Sequence, residues 1–215
     1  MVYKLQNEYH TQRNNETDPA YTCNVTAMVM ALKATGIPFD HPQGVQPEDH
    51  LAAILATPEA FALRDSAYPW AMSAKIPPRE VHGLLSWAVT DRLVGQNCTV
   101  FTTRASIQEL LFRIARHKAA SVVTGRFMPG GHLVTLVGFE YPGPDLSGAD
   151  SPARVDLSIV SRVIIDDPWG DIHTGYKNHD GNDVSLSVLE FDRLTREYSN
   201  PGRKWAHLFS RDGIF

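Results

Sequence analysis

Cysteine is scarce in this chain: only Cys23 and Cys98 occur among 215 residues. Two thiols make no disulfide framework, and in a reducing compartment each is expected to be free. Other absences narrow the function further. No stretch approaches the roughly 20 apolar residues that span a bilayer, and Met1 to Gln12 is too polar for a signal peptide. The expectation is a cytoplasmic protein without membrane contact. Lys and Arg form no run, and the formal net charge of -4 argues against a nucleic-acid partner or an anionic membrane surface. The chain has no glycine-rich phosphate loop, no Gly-x-Ser-x-Gly and no nucleotide fingerprint. Internal repeats and low-complexity segments are also missing. His173, His179, Asp180 and Asp183 are close in sequence but match no spaced ligand set, so neither a metal nor a cofactor is expected. A small molecule, a peptide or a protein remains as partner.

Apolar residues at 43% and charged residues at 20% describe an ordinary folded domain. The length suits one domain, 1–215, with a substantial core. Residues 2–20 are polar and contain Asn14-Asn15 and Asp18-Pro19, which predicts an extended arm with one short strand and a turn. A helix follows from about Cys23 to Ala34 and stops at Gly36, with Pro38 beyond. On a helical wheel Val25, Met28, Val29 and Leu32 form one stripe, while Cys23, Ala27, Met30 and Ala34 lie nearly opposite. A helix apolar on two sides belongs in the middle of a protein.

Residues 39–97 read as a helical lobe or insertion: Pro47 to Ala56, a piece after Pro58, and Pro77 to Leu93. The half from Cys98 to Phe215 reads mainly as sheet. Strands are expected at Cys98 to Thr102, Ala120 to Phe127, His132 to Tyr141, Val155 to Asp166 and Lys204 to Phe209, with helices at Ile107 to His117 and Leu189 to Tyr198. Tyr141 to Arg154 is predicted to be an exposed loop. The fold class is α+β, with the N-terminal helix packed on an antiparallel sheet.

Cys23 stands where a polar loop becomes an apolar helix, and the unpaired N–H groups of a first turn favour a thiolate there. The bland alternative, a small buried core residue, fits Cys98 better. A cysteine nucleophile needs a base, a group that orients the base, and donors for the oxyanion. His132 follows Gly130-Gly131 and opens a strand apolar on both faces, whereas His10, His41, His50, His82, His117 and His207 lack comparable context. Asp166 and Asp167 end another strand. Counting back by twos, Asp167 is in register with Ile165, Val163, Ile159 and Leu157, so it should face the core and Asp166 solvent; one β-bulge would exchange them.

The order Gln12, then Thr22-Cys23-Asn24-Val25-Thr26-Ala27-Met28, then Gly131-His132-Leu133-Val134, then Asp167-Pro168-Trp169-Gly170, resembles the C39-like cysteine peptidases of the papain-like superfamily. Gly175-Tyr176 and Trp205-Ala206-His207 add to the likeness, particularly to members in bacteria and their phages. It covers the first 35 residues and about Val122 to the end, while 39–97 add nothing. The resemblance implies a papain-like fold with Cys23 as nucleophile, His132 as base and acid, Asp167 as orienter and Gln12 as oxyanion donor. Gln12 stands farther upstream of Cys23 than is usual, which makes Gln6 the second candidate. Asn24 replaces the Gly of the bacteriocin-transporter branch, which argues against leader processing. Three functions then compete. The first is hydrolysis of an amide bond in a protein or peptidoglycan peptide, with release by lysis or carriage on a virion if the chain is phage-encoded. The second is acyl transfer on the same fold, and the third a catalytically silent binding or inhibitor protein.

Overall fold

In the computed structural model, which describes residues 1–67, 78–195 and 202–215, a short strand β1 (Val2–Lys4) leads through an arm to helix α1 (Cys23–Thr35). Every residue of α1 from Val25 to Leu32 is buried, as two apolar stripes require. The helix ends at Gly36, whose N–H returns to Lys33 O at 2.9 Å, and Arg211 donates from the chain's end to Thr35 O. A cation at a helix C-terminus complements the dipole there.

Helices α2 (Pro47–Leu55), α3 (Pro58–Ala67) and α4 (Pro78–Trp87) form the lobe, and α4 runs on as a π-helical stretch, Ala88–Val94. The expected start of α4 at Pro77 lies outside the described residues. Leu51 of α2 and Leu85 of α4 are buried in the same core as α1, so the lobe shares that core. No helix among the described residues is long and apolar enough to cross a membrane.

Then come β2 (Thr99–Ala105), α5 (Ile107–Phe112) with a π-helical continuation Arg113–His117, β3 (Ser121–Gly125), β4 (His132–Glu140), β5 (Arg162–Asp166), β6 (Val184–Leu186), α6 (Val188–Leu194) and β7 (Lys204–Phe209). Ser106 and Ser187 start α5 and α6 by accepting the N–H groups of Glu109 and Glu190. The expected end of α6 at Tyr198 also lies outside the described residues.

The strands make one antiparallel seven-stranded sheet in the order β2-β7-β3-β4-β5-β6, with β1 against β4. On one edge of β4, β3 pairs with residues 132–136 and β1 with 138–140, while β5 takes the other edge. This makes β4 central, and α1 is tied to it by Thr135 Oγ1 donating to Ala27 O at 2.9 Å. The architecture is therefore a mixed α+β fold with an antiparallel sheet.

Three expectations differ from the structure. The strand foreseen from Val155 begins only at Arg162, because the Asp156 carboxylate accepts the N–H and hydroxyl of Ser158 and sets a turn. The loop from Tyr141 to Arg154 is partly buried, since Tyr141 and Leu146 enter the core. Strand β6 was not foreseen; three residues show no usable alternation. Cys98 lies just before β2, buried, and burial pushes its thiol up to about 11. Both cysteines are free.

Candidate active site

Gly130 and Gly131 both take φ near +94°, a turn that side chains resist, and they deliver His132 to the first position of β4. The ring is buried, and its Nε2–H donates to Asp167 Oδ1 at 2.7 Å. Asp167 is itself held from several sides. Its Oδ1 accepts the Trp169 N–H at 2.9 Å, its N–H donates to Gly181 O at 2.9 Å, and its carbonyl accepts the Tyr9 hydroxyl at 3.0 Å. Gly181 is required for closeness: a Cβ there would lie 2.0 Å from Asp167 O.

With Nε2 committed to Asp167, Nδ1 is the ring nitrogen left to meet Cys23, the first residue of α1 and only partly buried. Burial alone would depress the imidazole. The hydrogen bond to Asp167 and then the interaction with Cys23 outweigh it and raise His132 to about 9. His132 thus keeps its proton at neutral pH between two groups that favour the cation. Thr22, at the N-cap of α1, spends its hydroxyl on Asp18 O and on Asn15 Nδ2 rather than on first-turn N–H groups.

Gln12 is buried, its N–H donates to Pro168 O at 2.9 Å and its Nε2 to Pro19 O at 2.7 Å, while its Oε1 has no hydrogen-bond partner. It therefore bridges the turn after Asp167 and the segment before Cys23. Arg13 reinforces this junction: its guanidinium lies 3.8 Å over the Trp169 ring and its Nε donates to Trp169 O. Gln6 is exposed in a groove with Lys33, Gly36 and Ile37. Those residues end α1, which by helix rise is roughly 20 Å from its start at Cys23.

Asp166 is fully buried rather than facing solvent. A bulge does occur nearby, but it inserts Val137 into β4 and leaves Asp167 on the histidine. Alternation misplaced Asp166 because the arm and the loop after Gly181 cover the second face of the strand end. There Asn7 Nδ2 and the Asp183 N–H donate to it, and burial holds its carboxyl up to about 6. His173 is engaged by Ser185 O and Asp183 pairs with Lys4, and among the described residues no group of three His, Cys, Asp or Glu side chains is arranged to hold a metal ion.

Two arrangements could not be read from the sequence, although Tyr176 and His207 both stand in stretches that add to the resemblance. Tyr176 turns its hydroxyl to Phe127 O at 2.9 Å and Asp167 Oδ2 at 3.4 Å; only the Gly175-Tyr176 pair hinted at it. His82 and His207 form a buried pair at 2.8 Å, flanked by Thr124 and Ser86. Burial is the first cause that depresses both, His82 to about 4.

No curated protein and no solved structure matches this chain. A family model, Peptidase_C39 like, matches residues 4–190. It takes in Gln12, Cys23, His132 and Asp167, runs through 39–97 where no likeness had been expected, and stops short of Trp205. By that match over most of its length, the chain belongs to the Peptidase_C39 like family.

Proposed function

We propose that the chain is a papain-like cysteine hydrolase that cleaves an amide bond in a protein or in a peptidoglycan peptide. The observation that carries the reading is the 2.7 Å bond from His132 Nε2 to Asp167, which turns the other ring nitrogen to Cys23 and keeps the ring protonated. Cys23 Sγ attacks the carbonyl carbon as thiolate, and the π electrons move to oxygen. The Cys23 N–H, at an uncapped helix start, and the second N–H of the Gln12 amide are the donors for that oxyanion. When the tetrahedral intermediate collapses, His132 Nδ1–H gives its proton to the leaving amine and the thioester forms. Water then attacks the thioester, His132 Nδ1 takes a proton from it, and the carboxylic product leaves as Cys23 is released as thiolate.

Iodoacetamide alkylation of Cys23, with product analysis on casein and on peptidoglycan, tests the reading. The expected result is fast alkylation that falls at least about 100-fold in His132→Ala, with cleavage of one of the two polymers. Alkylation at the rate of an ordinary thiol, indifferent to His132, together with no cleavage of either polymer, would remove the proposal.

A further inference from the structure

The backbone at Tyr176 is unusual. Its φ is +63°, directly after Gly175 at φ +61°, and a bulky side chain rarely adopts that region. The strained turn is fastened by the Tyr176 N–H donating to Asp171 O at 3.0 Å. From this turn the ring points inward. The hydroxyl donates to Phe127 O at 2.9 Å and lies 3.4 Å from Asp167 Oδ2.

Those two acceptors belong to the two parts that align His132. Phe127 sits in the loop between β3 and β4 that ends at His132, and its ring meets the His132 ring edge-on at 6.4 Å between centroids. Asp167 holds the histidine's Nε2 through Oδ1, so the phenol lies at the carboxylate's other oxygen. We infer that Tyr176 is a positioning residue, one phenol that locks the loop carrying His132 to the carboxylate that orients it. Burial first, and then the Asp167 charge, drive the phenol's own pKa upward, so it remains a neutral donor at any working pH. Without the hydroxyl, the Phe127 carbonyl loses its donor and Oδ2 its polar neighbour. Among the described residues, the carboxylate then keeps partners only on Oδ1, the Trp169 N–H and the imidazole, and can swing about that oxygen. The inference rests on the proposed hydrolase only for its effect on turnover; the effect on His132 stands alone.

The test is the titration of the His132 imidazole, followed by NMR in a Cys23→Ala background, in chains with Tyr176 and with Tyr176→Phe. A second variant, Tyr176→Gly, suits the left-handed backbone and removes the same hydroxyl, so the question survives if one variant fails to fold. The expected result is a downward shift of the His132 midpoint by about one pH unit in each folded variant, since a looser Asp167 supports the cation less. In chains that keep Cys23, the alkaline limb of turnover should move down by about one pH unit with it. An unchanged midpoint in a folded variant overturns the inference, because mere structural support would leave the titration where it was. Failure of the hydrolase reading looks different: wild-type Cys23 would be inert while the midpoint still moved.

Discussion

At Cys23 the decisive quantity is the charge state of its neighbour rather than the thiol's own environment. His132 at about 9 predicts an upper limit to turnover: the rate–pH profile should fall on an alkaline limb centred near pH 9, where the acid for the leaving amine is lost. Asp167→Asn should move that limb to lower pH, because the first partner that raises the imidazole loses its charge. Stopped assays across pH 6 to 10 read both. Asp166, beside the Asp167 carboxylate, makes the opposite case. Its folded value of about 6 lies above an unfolded value near 3.9, so the stability it contributes is present below pH 3.9 and lost as pH rises through 6. Asp166→Asn should therefore be neutral or stabilising at pH 7.5. Its carbonyl can still accept from Asp183 N–H, and once the Asn7 amide turns over, the new amide can donate to Asn7 Oδ1, which has no partner as it stands. Urea denaturation decides; a loss of more than about 2 kcal/mol would contradict this account.

Two elements bear most of the site's precision. Helix α1 holds Cys23 only as firmly as its buried faces pack, and Met28 is wholly buried within it. Met28→Ala should cost about 2–5 kcal/mol by denaturant titration, the range for large-to-small changes in a closed core. The segment from Asp167 to Gly181 is the second. Gly181→Ala places a methyl 2.0 Å from the Asp167 carbonyl, where only backbone can yield. The expected result is displacement of Asp167, visible as a fall in the His132 titration midpoint and at least a tenfold loss of Cys23 alkylation. Helix α2 acts on the same region from the lobe side: Asp49 accepts the N–H groups of Glu16 and Thr17, which fixes the chain between Gln12 and Cys23.

Across the whole molecule, buried titratable groups set a stability curve with two falling limbs. His132 is raised above its unfolded value, so its contribution is complete below about pH 6.5 and disappears as pH rises through 9. His82 and His207 are depressed, so theirs is complete above about pH 6.5 and disappears as pH falls, for His82 down to about 4. Asp166 works against this acid limb over part of the range, but two histidines oppose one carboxylate. Thermal denaturation should give a higher midpoint at pH 7.5 than at pH 5.0 or pH 10. His82→Gln with His207→Gln should flatten the acid side, because α4 would then meet the sheet through groups that do not charge.

By itself the sequence determined the buried helix beginning at Cys23 and the central strand opening at His132. Both follow from local periodicity, which a chain displays without knowing its neighbours: two apolar stripes in a helix and apolar faces on a strand. It also contained enough of Gln12, Cys23, His132 and Asp167 to indicate the family. The tertiary structure alone decided what covers each face. Asp166 is buried because Asn7 and Asp183 close over it, His82 is neutral because the packing of α4 on the sheet buries it, and Tyr176 turns inward through a strained backbone. All three depend on contacts between residues far apart in the chain, and no periodicity within either partner encodes them.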